Sequence, residues 1–417
     1  MRYSVRYADG TVEFETDMDC TIAECRGCGT ADEGAIMKQA LAGPMASPGF
    51  GEFASSSKKL LFILCDGTRP TPTSLVLEHL YPEIAHHPDV SFIIATGTHR
   101  PPTEAEFKIM FGEYLDEFRS RIFVHDSRNA DANMFVGTTS RGTPVSFSKR
   151  VMGADGLVTV NSVEPHYFAG YTGGRKSFLP GVAGFETIER NHSHATEPGA
   201  LPLVLDGNPI SEDMFEALDF ISGKRIFSIQ TVMAPDNTLV AAFAGDIRKT
   251  FISATEKAND IYSIGISRRA SIVVTVAPPP MDRDLYQSQK ALENARNAIE
   301  PGGAIILVSS CWDGIGDRGF YDQLLNATED TKASDLMGEN YRLGNHKAAR
   351  LLSLAEQAEI WAVTGLDEAV LAPARIRGFK SLQEAVDLAI GKMQQAGRQP
   401  NILVLPGGSM TVPRVVG

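Results

Sequence analysis

Short apolar runs alternate with amphipathic segments along most of this chain, and polar, glycine-rich turns separate them. Apolar runs of this length indicate buried strands, whereas apolar positions spaced three and four apart indicate helices. We predict strands at residues 60–64, 91–96, 157–160, 272–276, 304–308, 360–363 and 402–405. We predict helices at residues 74–80, 104–118, 284–298, 347–355 and 381–394. This alternation predicts an α/β protein whose sheets are mixed but largely parallel.

A run of three prolines at residues 278–280 interrupts the pattern and indicates a domain boundary nearby. We therefore expect an N-terminal domain at residues 1–265 and a C-terminal α/β domain at residues 266–400. Residues 401–417 would form a last strand and a tail that can return to the N-terminal domain. Ligands bind beyond the carboxyl ends of parallel strands, so the polar turns that follow strands can line one crevice in the first domain. We expect the active-site crevice to lie between the two domains.

Composition limits the classes of function. The chain has 417 residues, 43% of them hydrophobic, which is enough for the cores of two domains. Its net charge of −12 argues against a nucleic-acid or membrane partner. We find neither an apolar run of roughly 18 residues, as a transmembrane helix needs, nor the apolar core of a signal peptide. We therefore expect a cytoplasmic protein.

Three of the five cysteines lie close together, at Cys20, Cys25 and Cys28. Their C-x4-C-x2-C spacing is similar to part of a plant-type iron–sulfur motif, for which Cys65 or Cys311 would have to supply the fourth ligand. Spacing alone is weak support for a metal site, so reduced thiols are the better interpretation.

A polar turn at residues 66–70 follows the first predicted strand. Its Arg69 can clamp a carboxylate or a phosphate, and Asp66 can orient that arginine or bind a ribose hydroxyl. A structural Asp–Arg pair at the start of the next helix explains these residues equally well.

His99 and His166 also follow predicted strands, and imidazoles exchange protons near neutral pH. Glu164 can pair with His166 and make it more basic. An isolated histidine is nevertheless more often satisfied by backbone groups, and that alternative stays open for both.

Glycines lead into Lys176, and the amides of Gly173 and Gly174 can approach a phosphate, although the spacing is not that of a P-loop. A glycine turn with a solvated lysine is the alternative. His192 and His194 can bind a metal, but no H-E-x-x-H sequence occurs, so a conventional zinc protease or zinc deaminase is not expected.

Tyr286, Gln287 and Lys290 share one face at the start of a predicted helix. They can offer a hydroxyl, an amide and an ammonium group to an anion. Taken by themselves, they fit a solvated helix face better.

In order and spacing, these segments resemble the nickel-pincer lactate racemase family over most of the chain. The similarity lies in four signatures. These are D-x-T-R-P at 66–70, G-T-H-R-P at 97–101, E-P-H at 164–166 with G-G-R-K at 173–176 and N-H at 191–192, and Y-Q-x-x-K at 286–290. One signature alone would be weak, but with four in the same order the chain is identified as a member of the family.

The resemblance implies a nickel cofactor, a nickel-pincer nucleotide whose pyridinium ring carries a thioamide and a thiocarboxylate arm. It implies that Lys176 is attached covalently through the thioamide and that His192 is the protein ligand of nickel, which suits a soft square-planar site. Further cofactor contacts are implied for Asp66, Thr68, Gly173 and Gly174.

The implied reaction is the racemisation or epimerisation of lactate or a related 2-hydroxy acid. The α hydrogen would pass as hydride to the cofactor and return to the opposite face. His99 and His166 are implied as the two acid/bases, because the hydroxyl points differently in the two enantiomers. The substrate would be held by Arg69, Tyr286, Gln287 and Lys290, once the second domain closes on the first.

Two other functions stay open. A non-catalytic protein that binds the nickel cofactor would not need two proton carriers, and a cofactor-independent phosphosugar or nucleotide-dependent α/β enzyme would be active without nickel. The partners expected of the racemase are a small-molecule 2-hydroxy acid and the enzymes that synthesise and load the cofactor, with a homodimer as a further option.

Overall fold

The structure, a computed structural model, describes residues 1–25, 32–328, 330–338 and 341–416. The chain forms two compact units. The central unit contains residues 27–260, and the terminal unit contains residues 1–26 together with 261–417. This division differs from the boundaries expected at residues 265 and 400, because the first strands of the chain join the C-terminal segment.

The first strands belong to the terminal unit: β1 (Arg2–Tyr7), β2 (Gly10–Glu15) and β3 (Asp19–Ile22). β1 and β2 form an antiparallel hairpin. β3 pairs in parallel with residues 401–404, near the other end of the chain. A sequence pattern does not reveal such a pairing, because it joins segments almost 400 residues apart.

The central unit is built around a six-stranded sheet. Its elements are α1 (Glu33–Ala42), α2 (Phe50–Ser55), β4 (Leu60–Cys65), α3 (Thr73–Ile84), β5 (Val90–Ala95), α4 (Glu104–Phe111), α5 (Leu115–Phe118), β6 (Ile122–Val124), β7 (Asn133–Thr138), β8 (Pro144–Ser148), α6 (Lys149–Gly153), β9 (Gly156–Ser162), β10 (Pro165–His166), β11 (Gly170–Tyr171), α7 (Phe185–His192), α8 (Pro209–Asp219), β12 (Arg225–Met233), β13 (Leu239–Gly245) and α9 (Ile247–Tyr262).

The strand order of this sheet is β13-β12-β9-β4-β5-β6, and only the β12–β13 pair is antiparallel. From β4 the chain first builds outwards through β5 and β6, and then crosses back to place β9 on the other side of β4. The direction of winding therefore reverses between β4 and β9. Parallel sheets bind ligands at such a switch point, beyond the carboxyl ends of the strands.

The terminal unit contains a second six-stranded sheet, of order β18-β17-β16-β15-β19-β3, in which every pair is parallel. Its C-terminal elements are β14 (Ser263–Ile266), β15 (Ala270–Val276), α10 (Leu285–Ala295), β16 (Ile299–Val308), α11 (Arg318–Asn326), α12 (Asn345–Ala355), β17 (Glu359–Val363), α13 (Glu368–Leu371), β18 (Ile376–Phe379), α14 (Leu382–Gln395), β19 (Asn401–Leu405) and β20 (Val412–Val415).

The predicted α/β class with largely parallel sheets is confirmed, and each predicted apolar run lies in a strand, except that Thr96 at the end of the second run falls outside β5. The helix predicted over residues 104–118 is interrupted after Phe111, because Gly112 has a φ of +54° and starts a 3₁₀ turn. Within the described parts of the chain, no helix has the length and apolar character needed to cross a membrane.

Candidate active site

Asp66 lies in the turn after β4, next to the switch point. Its Oδ1 accepts hydrogen bonds from the Thr68 amide at 3.0 Å and hydroxyl at 2.5 Å, and its Oδ2 lies 2.7 Å from His99 Nδ1. Burial raises the pKa of this carboxyl, but the hydrogen bond and charge of His99 and the Thr68 hydroxyl outweigh it and lower the pKa to about 2. Asp66 is therefore ionised and accepts the Nδ1 proton, which leaves Nε2 of a neutral His99 as an acceptor.

Arg69, in the same turn, forms a salt bridge with Glu164. Its Nη1 donates to Glu164 Oε1 at 2.6 Å. Burial lowers the pKa of Arg69, but the charges of Glu164 and Asp66 raise it by more. The net pKa is raised, so the guanidinium stays charged. Two expected pairings are thus corrected: Glu164 bonds to Arg69 rather than to His166, and the second carboxylate oxygen of Asp66 bonds to His99.

His166 lies in a short antiparallel hairpin of β10 and β11, opposite Gly170. The Ala169 amide donates to His166 Nδ1 at 3.3 Å, so the neutral ring carries its proton on Nε2. Tyr167 stacks on the imidazole with ring centroids 5.1 Å apart, and Phe168 meets it edge-on at 4.5 Å. In their neutral forms, Nε2 is therefore an acceptor in His99 and a donor in His166.

Lys176 lies in a 3₁₀ turn that begins at Gly173 and Gly174, where the backbone requires glycine. Gly173 and Gly174 have φ values of +82° and +51°, and a Cβ would lie 2.6 Å from the nearest side-chain atom at the first and 2.7 Å at the second. The Gly174 amide donates to the buried Gln230 Oε1 at 3.0 Å. The sequence had indicated that this amide can approach a phosphate. In the structure it is directed at a side chain instead.

Arg175, the neighbour of Lys176, is completely buried and was missed by the sequence analysis. Its Nη2 donates to the Ala169 carbonyl at 2.7 Å and its Nη1 to the Tyr171 carbonyl at 3.3 Å. The guanidinium also lies 4.4 Å from the centroid of the Phe251 ring. Arg175 therefore ties the turn of Lys176 to the hairpin that carries His166.

His192 is the last residue of α7 and meets the Phe168 ring edge-on, with centroids 5.3 Å apart. Burial lowers the pKa of His192, and the charges of Lys176 and His99 lower it further, to about 3. The imidazole is consequently neutral at neutral pH, which is the form that binds metals.

Phe168 is the centre of this arrangement. Its ring, in a residue only 2% exposed, contacts His166 and His192 and lies 5.8 Å from Lys176 Nζ. The structure thus gathers three residues predicted from separate segments around one aromatic side chain. Sequence reasoning missed Phe168, since an apolar residue next to a histidine predicts only core packing.

Two further histidines, His194 and His125, have structural partners. His194 forms an ion pair with Glu197, and His125 Nε2 donates to the Ala183 carbonyl at 2.8 Å. Among the residues that the structure describes, no three His, Cys, Asp or Glu side chains are grouped so as to hold a metal by themselves.

Of the clustered cysteines, Cys28 lies outside the described residues. Cys20 and Cys25 are free thiols, and Cys25 Sγ lies 3.1 Å from Thr411 Oγ1. Burial raises the pKa of Cys25 to about 11, so this thiol stays protonated.

Tyr286, Gln287 and Lys290 lie in the terminal unit, in the first turns of α10. They are half-buried, whereas Leu285 and Ser288 beside them are buried, so the three share one helix face as predicted. The helix begins after Asp284, whose carboxylate accepts from the Gln287 amide at 2.7 Å.

Comparison with known families agrees with this arrangement. A profile of the lactate racemase N-terminal domain matches residues 7–201, and one of the lactate racemase C-terminal domain matches residues 266–412. The lactate racemase of Thermoanaerobacterium thermosaccharolyticum is 35% identical over 291 residues, covering 69% of this chain and 68% of the relative. That of Lactiplantibacillus plantarum is 28% identical over 382 residues, covering 89% of each.

Solved structures give the same result. The lactate racemase apoprotein from T. thermosaccharolyticum superimposes with a TM-score of 0.90 at 30% identity, over 99% of this chain and 100% of that one. A crystal structure of a protein from Thermotoga maritima shares the fold, with a TM-score of 0.70 at 18% identity over 92% and 98% of the two chains. Because the two domain profiles together match most of its residues, the chain belongs to the lactate racemase family.

Proposed function

We propose that this chain is a nickel-dependent racemase or epimerase of lactate or a related 2-hydroxy acid. The observation that carries the proposal is the histidine pair, in which Nε2 of His99 is set to accept a hydrogen and Nε2 of His166 to donate one. Both belong to the same unit as Lys176 and His192, which meet His166 at the Phe168 ring. A reaction that inverts a carbinol centre while the oxidised intermediate keeps its orientation uses an acid/base on each side of that centre.

The residues present fit the family's nickel-pincer nucleotide. Between residues 171 and 179, all of them described, Lys176 alone is not buried, so its amine can be reached for attachment. His192 supplies one neutral imidazole, which suits a metal whose other ligands belong to an organic cofactor. When bound, the cofactor would supply the nickel and the pyridinium ring that take up and return the α hydrogen.

His99 is placed to act as the first base. Its Nε2 would take the hydroxyl proton of the substrate, and the ionised Asp66 at 2.7 Å would stabilise the resulting imidazolium and keep the ring oriented. A carboxylate behind a histidine has this role in other acid/base sites. General acid/base catalysis of this kind typically contributes about 10²–10⁴-fold to the rate.

His166 would serve the opposite face. In its neutral form, the Nε2–H group can bind the substrate oxygen. To deliver a proton the ring must become an imidazolium, and Nδ1 must then release the 3.3 Å hydrogen bond from Ala169. This bond is long and its loss costs little, so the ring can change its protonation state.

Arg69 is the proposed anchor of the substrate carboxylate in the central unit. Glu164 holds the guanidinium through Nη1, and the other N–H groups of a planar guanidinium can bind a second carboxylate. The contribution of Tyr286, Gln287 and Lys290 to substrate binding stays a prediction.

The two alternatives are less well supported. A protein that only stores the cofactor has no use for the Asp66–His99 pair. A cofactor-independent phosphosugar or nucleotide-dependent enzyme gives no role to the neutral His192 and to Lys176, which lie at the same Phe168 ring.

The test is mass spectrometry of protein co-expressed with the enzymes that synthesise the cofactor. We expect a nucleotide adduct on Lys176 in the wild type and none in Lys176→Ala. The control is Lys249→Ala, which removes an exposed lysine of the same unit and should keep the adduct. A loaded sample should then racemise at least one member of a panel of 2-hydroxy acids. No adduct, under conditions that load a known lactate racemase, would contradict the proposal.

A further inference from the structure

Asn208, the residue before helix α8, and Asp213 within it have polar side chains that are completely buried. Asn208 caps the helix, since its Oδ1 accepts from two backbone amides of the first turn at 3.1 Å and 3.2 Å. Its Nδ2 donates to the Phe168 carbonyl at 2.9 Å. The start of α8 is thus bonded directly to the residue whose ring contacts the candidate site.

Asp213, one turn further along α8, accepts three hydrogen bonds. The donors are Thr139 Oγ1 at 2.5 Å, Thr143 Oγ1 at 2.9 Å and Asn191 Nδ2 at 2.7 Å. Asn191 is also completely buried and immediately precedes His192 at the end of α7. Asp213 therefore fixes the backbone that presents His192.

Packing alone does not explain an aspartate at this position. A buried carboxylate is costly unless hydrogen bonds satisfy it, and an apolar side chain would fill the space without that cost. What the carboxylate adds is strength, because hydrogen bonds to a charged acceptor are roughly twice as strong as neutral ones. Such a bond to Asn191 adds a directional restraint on the end of α7 to that of helix packing.

We propose that Asn208 and Asp213 are positioning residues, through which α8 sets Phe168 and His192 relative to each other and so determines how firmly the site retains nickel. The identity of the metal rests on the proposed function. Partners that orient metal ligands typically change metal affinity by about 10–100-fold.

The first experiment measures nickel loss from the loaded holoprotein to excess EDTA at neutral pH. We expect Asp213→Asn to lose nickel roughly ten times faster than the wild type while the mass of the Lys176 adduct is unchanged. The control is Ser211→Ala on the same helix. Ser211 is completely buried, and its hydroxyl has no hydrogen-bond partner within the described residues. A folded Asp213→Asn that loses nickel at the wild-type rate would overturn the proposal.

If Asp213→Asn fails to fold, Thr143→Val removes only one of the three hydrogen bonds. This bond has a charged acceptor, but the bond from Asn191 to Asp213 stays in place, so we expect nickel loss roughly fivefold faster than in the wild type. A wild-type rate in Thr143→Val would then overturn the proposal.

The second experiment needs no cofactor, so it separates failure of this proposal from failure of the proposed function. Apoprotein is treated with diethyl pyrocarbonate, and modification of His192 is measured relative to that of the buried His125 in the same unit. We expect the ratio to rise several-fold in Asp213→Asn and to stay at the wild-type value in Ser211→Ala. An unchanged ratio in Asp213→Asn would show that α8 does not hold His192. Wild-type protein that never loads would instead contradict the proposed function.

Discussion

Each unit contains a buried carboxylate bonded to a basic side chain, but the two pairs differ in exposure. Asp66 and Glu293 are 6% and 2% exposed, and each lies 2.7 Å from its partner, His99 in one case and Arg350 in the other. The His99 side chain is 52% exposed, whereas that of Arg350 is 10% exposed. A half-open imidazole can exchange protons with a substrate, while a closed guanidinium can only hold the fold. Exposure of the partner thus separates a pair suited to catalysis from a structural pair.

The closed pair belongs to a buried polar seam between α10 and α12. Arg350 on α12 binds Glu293, whose Oε2 also lies 3.5 Å from Arg296. Nearer the start of α10, Lys347 Nζ donates to the Tyr286 carbonyl at 2.6 Å, and Gln289 Nε2 donates back to the Lys347 carbonyl at 2.7 Å. The seam therefore fixes the rotation of α10, and with it the face that carries the predicted substrate residues.

Variants of the two proposed acid/bases, His99 of the open Asp66–His99 pair and His166, give the largest expected effect. We expect His99→Ala and His166→Ala each to lower racemisation by about 10²–10⁴-fold while the Lys176 adduct is retained. The measurement is a chiral assay of loaded protein, with the exposed His86→Ala as control. The pKa of Asp66 in the folded chain, about 2, lies below its ordinary value of 3.8, so its contribution to stability is present above pH 3.8 and lost only as the pH falls through about 2. Loss of activity between pH 5 and 8 would therefore not come from Asp66. Near-normal turnover in either alanine variant would contradict the two-base scheme.

The sequence could predict the residues of the candidate site but not the residues that bond to them. His99, His166, Lys176 and His192 follow strands or close a helix in recognisable motifs, and the order of the strands brings those ends together. The bond between Asp66 and His99 joins residues 33 positions apart, and that between Arg69 and Glu164 joins residues 95 apart. Such partners depend on tertiary contacts that periodicity does not encode.

The fold class was predictable because each strand is visible in its own segment, whereas the division into units depends on which strands pair. Buried parallel strands appear as continuous apolar runs, so each one is visible locally. The placement of β3 beside β19 depends on which sheet edge is left open, and nothing within Asp19–Ile22 specifies that edge. Asn208, Asp213 and Arg175 were missed likewise, because a buried polar residue is indistinguishable in sequence from a surface one.

The closed pair should affect stability and not chemistry. Glu293→Gln removes the buried carboxylate that both Arg350 and Arg296 contact, and breaking such a pair typically costs about 3–5 kcal/mol in the free energy of unfolding. Urea unfolding followed by tryptophan fluorescence suits this test, since both tryptophans, Trp312 and Trp361, lie in the terminal unit. The control is Glu300→Gln, which breaks a partly exposed pair with Arg398 and should cost less than about 1 kcal/mol. Equal losses in the two variants would show that burial does not distinguish these pairs.

Lys347 lies at the other end of the seam, and its variant gives the smallest expected effect on stability. It tests directly whether the seam excludes water. Burial and the charge of Lys290 lower the pKa of this ammonium from its ordinary value of 10.5 to about 7, although Nζ lies 3.4 Å from the Tyr286 ring centroid. Between these two pH values the unfolded chain binds more protons than the folded one, so stability should rise with pH. The rise should be about 1 kcal/mol between pH 7 and 8, measured by urea unfolding, and should be absent from Lys347→Met. A stability difference between wild type and Lys347→Met that does not change with pH would mean that the ammonium stays charged against the tyrosine ring. In that case water would reach the seam, and the seam would differ from the open Asp66–His99 pair only in how far it is exposed to solvent.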